Sequence, residues 1–180
     1  MLRILVPTSE PFDEAIQQFV IVGVELDLEH SLESLSKWEE NFEKPFLTDD
    51  EKTAEETLFY IQHCMCRTKN PPGEIFQKLS KENHDEIQNY ITAKRTATWF
   101  KEDKRPGTRQ IITAEVIEGW MVQLQIPFEP CRYWHLNRLF TLIKVCNEQN
   151  KPKKKMGRSD AARQQAALNA QRQAQMGTRG

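Results

Sequence analysis

Residues 22–42, VGVELDLEHSLESLSKWEENF, contain the transition that decides the fold. Up to Leu28 the apolar positions recur every second residue: Val22, Val24, Leu26 and Leu28 alternate with Gly23, Glu25, Asp27 and Glu29. That period belongs to a strand with one buried face and one acidic, wet face. From Ser31 the period becomes helical. Ser31 is a good N-cap, Leu32, Leu35, Trp38 and Phe42 follow at helical spacing, and Pro45 stops the run.

Working toward the N-terminus, Arg3-Ile4-Leu5-Val6 reads as a first short strand, followed by a turn-rich segment through Pro7, Ser9, Pro11 and Asp13. The first 30 or so residues therefore predict a β-hairpin. A two-stranded ribbon is marginal alone, so its apolar face must cover helices or pair with the edge of another chain.

Working toward the C-terminus, Thr48 with Glu51 spells a capping box that opens a second helix, whose inner face is Ala54, Leu58, Ile61 and Met65. Asn70-Pro71-Pro72-Gly73 breaks the chain. Shorter helices are expected over Glu74–Leu79 and Asn83–Thr92, the second with Ile87 and Ile91 as its stripe. Residues 94–109 are polar, contain Pro106-Gly107 and read as a mobile surface loop, with Thr98-Trp99-Phe100 as a short third strand. Ile112, Val116, Ile117, Trp120, Met121 and Leu124 give a broad apolar face with Gly119 inside it. After Pro127 and Pro130, a last core helix is expected over Cys131–Asn147, carrying Leu136, Leu139, Phe140, Ile143 and Cys146, with Tyr133 and Trp134 near its start. The fold class is mainly α: a domain over residues 1–150 with about five to six helices and an N-terminal hairpin.

Beyond residue 150 the composition shifts. Residues 151–180 hold Lys151, Lys153, Lys154, Lys155, Arg158, Arg163, Arg172 and Arg179 against Asp160 alone, a charge of +7. The rest of the chain, with 17 basic and 25 acidic side chains, stands at −8 behind an overall charge of −1. Alanine, glutamine and arginine favour helix, but Leu168 is almost the only large aliphatic in this tail. The tail is expected to be disordered, or helical on a partner. Mean hydropathy is −0.68, and no window approaches the roughly 18 apolar residues that span a bilayer. The N-terminal apolar run is too short for a signal peptide, so the expected place is the cytoplasm.

The sequence carries little that points to catalytic chemistry. Phosphate-binding glycine loops, G-x-S-x-G and H-E-x-x-H patterns are missing from the sequence. Cysteines at 64, 66, 131 and 146 lack zinc-finger spacing, although His63 adjoins Cys64 and His135 follows Cys131 by four. They read as buried, inert thiols, and His63 and His135 as structural histidines of core-facing helices. Carboxylate pairs such as Glu39-Glu40, Asp49-Asp50 and Glu55-Glu56 read as solvated faces or helix starts. Trp99 and Phe100 among Lys94, Arg95, Lys101, Lys104, Arg105 and Arg109 form an aromatic–basic stretch that could stack single-stranded nucleic acid. A polar loop with its aromatics tucked inward is the preferred reading, since a body at −8 repels nucleic acid. No catalytic residue, cofactor or metal is expected, and an enzyme is disfavoured.

Three stretches carry a resemblance: LEHSLESLSKWEENFEKPFL (28–47), IITAEVIEGWMVQLQIPFEPCRYWHLNRLFTLIKVCN (111–147) and AALNAQRQAQ (166–175). They resemble tail assembly chaperones of long-tailed, siphovirus-type bacteriophages. The resemblance implies an assembly factor of the bacterial host cytoplasm, left out of the mature virion. It would coat the long helical tape-measure protein and recruit tail-tube subunits, and such proteins are often made in two lengths by frameshifting. Candidate partner contacts are the aromatics Trp38, Trp99 and Trp134 and the tail cations Lys153, Lys154, Lys155, Arg158, Arg163 and Arg172. Self-association of the basic tail with an acidic neighbour is a further expectation. The alternatives are a structural virion component, such as a head–tail connector or neck subunit, and a small nucleic-acid-binding regulator.

Overall fold

Alternation over residues 2–28 builds the expected hairpin. A computed structural model describes residues 1–15, 17–100, 110–151 and 158–177, with the side chains of Asp13, Arg158, Asp160 and Ala161 outside that description. Its strands are β1 (Leu2–Ser9), β2 (Phe12–Asp13), β3 (Gln18–Phe19) and β4 (Val22–Leu28), with β1 antiparallel to β4 and β2 to β3. The register sets Leu2 opposite Leu28, Ile4 opposite Leu26 and Val6 opposite Val24. Ile4, Val6, Leu26 and Leu28 are each 2% exposed or less. Burying one such side chain stabilises by about 1.5–3 kcal/mol. The opposite face stays wet, and Arg3 Nε there lies 3.0 Å from Asp27 Oδ1. Gly23 is required by a close cross-strand approach, because a Cβ there would sit 2.5 Å from the Val6 carbonyl oxygen.

Both edges of this ribbon are covered at its root. Along β4, Glu29 N–H donates to Met65 O (2.9 Å) and Arg67 N–H to Asp27 O (2.8 Å). Along β1, the Asn83 side-chain amide donates to Leu5 O at 3.3 Å.

Helix α1 (Leu32–Phe42) starts where its N-cap predicts: Ser31 Oγ accepts from Ser34 N–H. It ends before Pro45, at Glu43 in the left-handed region (φ 53°). The cap of α2 (Ala54–Phe59) differs from expectation. Thr53, not Thr48, opens it, and Glu56 returns the bond to Thr53 N–H at 2.8 Å. The T-x-x-E pattern is written twice in a row, and tertiary contacts choose the second copy: Glu56 also takes Lys44, and its carbonyl accepts from Trp38 Nε1. Ala54, assigned to the inner face, is exposed. α2 continues as a π-helical turn, Tyr60–Met65, which buries Tyr60, Ile61, Cys64 and Met65.

A 3₁₀ turn (Gly73–Lys78) buries Ile75 and Phe76. Helix α3 (Lys81–Thr92) opens two residues before the expected start because Ser80 and Asn83 form a reciprocal cap. Thr98–Phe100 is not a strand, and residues 101–109 of the anticipated mobile loop lie outside the described residues. α4 (Ala114–Gln123) and α6 (Leu136–Asn150) carry Ile117, Met121, Leu139 and Ile143 into the core. The anticipated single helix from Cys131 is instead a short α5 (Phe128–Cys131), a turn, and then α6.

The chain divides into two units, Met1–Asn147 and Glu148–Gly180. The second holds α7 (Arg158–Met176), on which every described side chain is exposed. The chain is mainly α with an N-terminal hairpin, as its periodicities predict.

Candidate protein-interaction surfaces

Past the root, the hairpin continues as an arm over which no described element of Met1–Asn147 packs. The register slips between Pro7 and Ser9, and from there to Val22 every described side chain is exposed. The arm holds its shape through local bonds: Thr8 Oγ1 donates to Val22 O (2.9 Å), Val20 N–H to Pro11 O (2.9 Å), and the Phe12 and Phe19 rings meet edge to face at 5.3 Å. Phe12 is 53% exposed, Phe19 69%, Ile21 55% and Val22 47%. Successive residues of an extended chain point to opposite faces, so the exposed run Phe19-Val20-Ile21-Val22 leaves apolar atoms wet on both faces of the arm. Contiguous exposed apolar surface of this kind marks interaction sites in folded proteins. The only charged residues of the arm are acidic: Glu10, Asp13 and Glu14.

A second feature is a groove of about 410 Å³ whose floor is Phe46, Tyr60, Ile61, Ile87 and Ile91. Lys52, Glu51 and His84 stand on its rim. Lys52 Nζ sits 4.3 Å from the Phe46 ring centroid and 5.7 Å from that of Trp38, and makes no ion pair among the described residues.

Tyr60, which lines the groove, also belongs to a buried polar junction. His30 Nδ1 is 2.6 Å from Tyr60 Oη, and the His30 and His135 rings are 5.5 Å apart. His135 Nε2–H donates to Tyr90 O (2.9 Å), and its Nδ1 accepts from Asn137 N–H (3.2 Å), a pattern that only the neutral tautomer satisfies. Burial first, and His135 second, push His30 down to about 3. Burial likewise lowers His135 and raises Tyr60. Tyr90 Oη donates to Glu29 Oε1 at 2.5 Å. Burial also raises Cys131, and pushes the Cys64 thiol up to about 12. These shifts hold the groups neutral, the reverse of what activates a nucleophile. Among the described residues, no group of three His, Cys, Asp or Glu side chains is arranged to hold a metal.

The sequence-predicted contacts fare unequally. Trp38 is no surface anchor: it is 2% exposed, packed on Phe42 and Phe46. Trp134 is half-buried with the Arg138 guanidinium 4.1 Å from its ring. Trp99 is 74% exposed, not tucked inward, with Lys94 Nζ 4.1 Å from its ring. Arg163 and Arg172 are exposed on α7, Arg158 begins that helix, and Lys153, Lys154 and Lys155 lie outside the described residues. His135 is the structural histidine expected, but His63 is exposed and packs on Phe59. Cys66 and Cys146 are only half-buried.

Glu39, read as half of a solvated pair, is 8% exposed. It accepts from Phe46 N–H (2.8 Å) and from Ala114 N–H (2.7 Å) at the start of α4. Its burial depends on a partner 75 residues away, which no local pattern reveals. The arm tip had a local signal, four apolar residues in succession where alternation lapses. Compared with known proteins, the chain matches no family model, no curated protein and no solved structure.

Proposed function

We propose that this protein is a non-enzymatic assembly factor that binds other proteins, of the tail-assembly-chaperone kind its sequence resembles. In this reading it holds a long helical tape-measure protein in the host cytoplasm, helps recruit tail-tube subunits, and is absent from the finished particle. The observation that carries the reading is the arm, whose described side chains are exposed from Pro7 to Val22 and include an apolar run that water alone does not favour. Helix α7 supports it: Arg163 and Arg172 are exposed there, within a +7 segment attached to a −8 body. Among the described residues, no helix is long and apolar enough to cross a membrane.

The test is co-expression of the full chain with a tape-measure protein, followed by affinity capture. Retention of the long partner by the wild type, and its loss on Phe12→Ser/Phe19→Ser, is the expected result. Capture of nothing helical by the wild type sinks the reading. An interlocking arm also suits a head–tail connector or neck subunit. Mass spectrometry of purified particles separates the two, since a virion component is found there and a chaperone is not.

A further inference from the structure

The arm and the groove belong to the same polypeptide and have complementary character. The arm ends in Phe12 and Phe19, stacked edge to face and more than half exposed. The groove, of about 410 Å³, has an apolar floor and falls within the roughly 300–1,000 Å³ of sites that enclose apolar groups. None of the residues lining the groove comes from the arm, so in a single copy the two do not meet.

Charge adds an independent argument. No Lys or Arg occurs between Arg3 and Lys37, so the arm is purely acidic through Glu10, Asp13 and Glu14. Glu10 and Glu14 are exposed and have no ion-pair partner among the described residues. At the groove mouth Lys52 is held by the Phe46 ring and makes no ion pair among the described residues. Glu51 shares this rim, Lys52 also borders a smaller hollow lined by Asp50, Glu51 and Glu56, and His84 supplies two nitrogen sites for hydrogen bonds. An apolar tip flanked by carboxylates and an apolar floor guarded by an unpaired ammonium are complementary in both respects.

We infer that the arm of one copy docks in the groove of a second copy, with Phe12 and Phe19 on the Phe46–Ile61–Ile87 floor and an arm carboxylate on Lys52. The contact joins two different surfaces. It closes if the exchange is reciprocal and runs on as a chain if it is not. The inference does not depend on the proposed chaperone role, because it concerns the purified protein alone.

Sedimentation velocity of the full chain over a concentration series tests it. The wild type is expected to associate. Phe12→Ser/Phe19→Ser is expected to weaken association by roughly thirtyfold or more, the loss typical of central aromatic anchors. Circular dichroism should leave its fold unchanged, because the tip is exposed. Lys52→Glu is expected to weaken association, and adding Glu10→Lys and Glu14→Lys to that variant to restore it. Either closed pairs or longer chains support the docking. A wild type that stays monomeric throughout overturns it, as does a tip variant that associates like the wild type. If Lys52→Glu and groove-filling Ile87→Phe both leave association untouched, the tips meet each other and the groove assignment is overturned.

Discussion

The root and the tip of the N-terminal hairpin are made from the same pair of chain segments with similar apolar content, yet one is core and the other is surface. At the root, Val6, Leu26 and Leu28 are fully buried, because α3 and the 3₁₀ turn pack on β1 while the chain from Met65 to Arg67 covers the other edge, along β4. At the tip, Phe19 and Ile21 are more than half exposed, because no described element of the first unit packs over them. Apolar character makes burial favourable, but only a second layer provides it. A chain that extends such a ribbon beyond its own core presents surface suited to another molecule.

The largest expected effect is at the root. Leu28→Ala should destabilise by about 2–5 kcal/mol, read from the urea midpoint at constant m. The next tests the same contrast within one adjacent pair. Glu39→Ala should cost about 2–4 kcal/mol, because it strands the Phe46 and Ala114 amides, while exposed Glu40→Ala should stay within about 0.5 kcal/mol. Equal effects at 39 and 40 would show that the carboxylate does not bridge α1 and α4.

The third expectation is pH dependence at the root. His30 and His135 are neutral when folded because their pKa values are depressed, His30 to about 3. Between that value and the ordinary histidine pKa near 6.5, the unfolded chain binds the extra protons, so stability falls as pH drops through this window. Each proton taken up contributes a slope of about 1.4 kcal/mol per pH unit. His30→Asn should remove close to one proton's worth of slope at pH 5; an unchanged slope would place the titration elsewhere.

Smaller still, Thr53→Ala should cost about 1 kcal/mol through loss of the helix cap, while Thr48→Ala leaves stability nearly unchanged. The smallest effect returns to the tip: Phe19→Ser should move the unfolding midpoint by less than about 0.5 kcal/mol. A cost there approaching that of Leu28→Ala would mean the tip is packed, and the contrast between the two ends of the hairpin would be lost.

Much of the fold was legible because periodicity is local. The change from a two-residue to a helical period at Ser31 located the hairpin and α1, and Pro71-Pro72-Gly73 located a break between helices. Caps were legible as patterns but not as choices, since Thr48 and Thr53 each stand three residues before a glutamate and only Trp38 and Lys44 select the second. The candidate surfaces were less legible. Trp38, Trp99 and Trp134 have the same side chain, and whether it is buried, exposed or half-buried depends on what packs over each position.

By itself the sequence determined the N-terminal hairpin and α1, the approximate places of most other helices, that the body is acidic and the tail basic, and that the tail's Ala, Gln and Arg favour helix without an apolar face. These follow from spacing, composition and backbone propensity within a few residues of each position. Tertiary structure alone decided that Trp38 and Glu39 are interior, that His30 meets His135, and that the hairpin outruns its own core. The physical reason is that burial is a property of contacts between distant segments. Glu39 is held by Ala114, and His135 by Tyr90, pairs that come together only when the chain has folded.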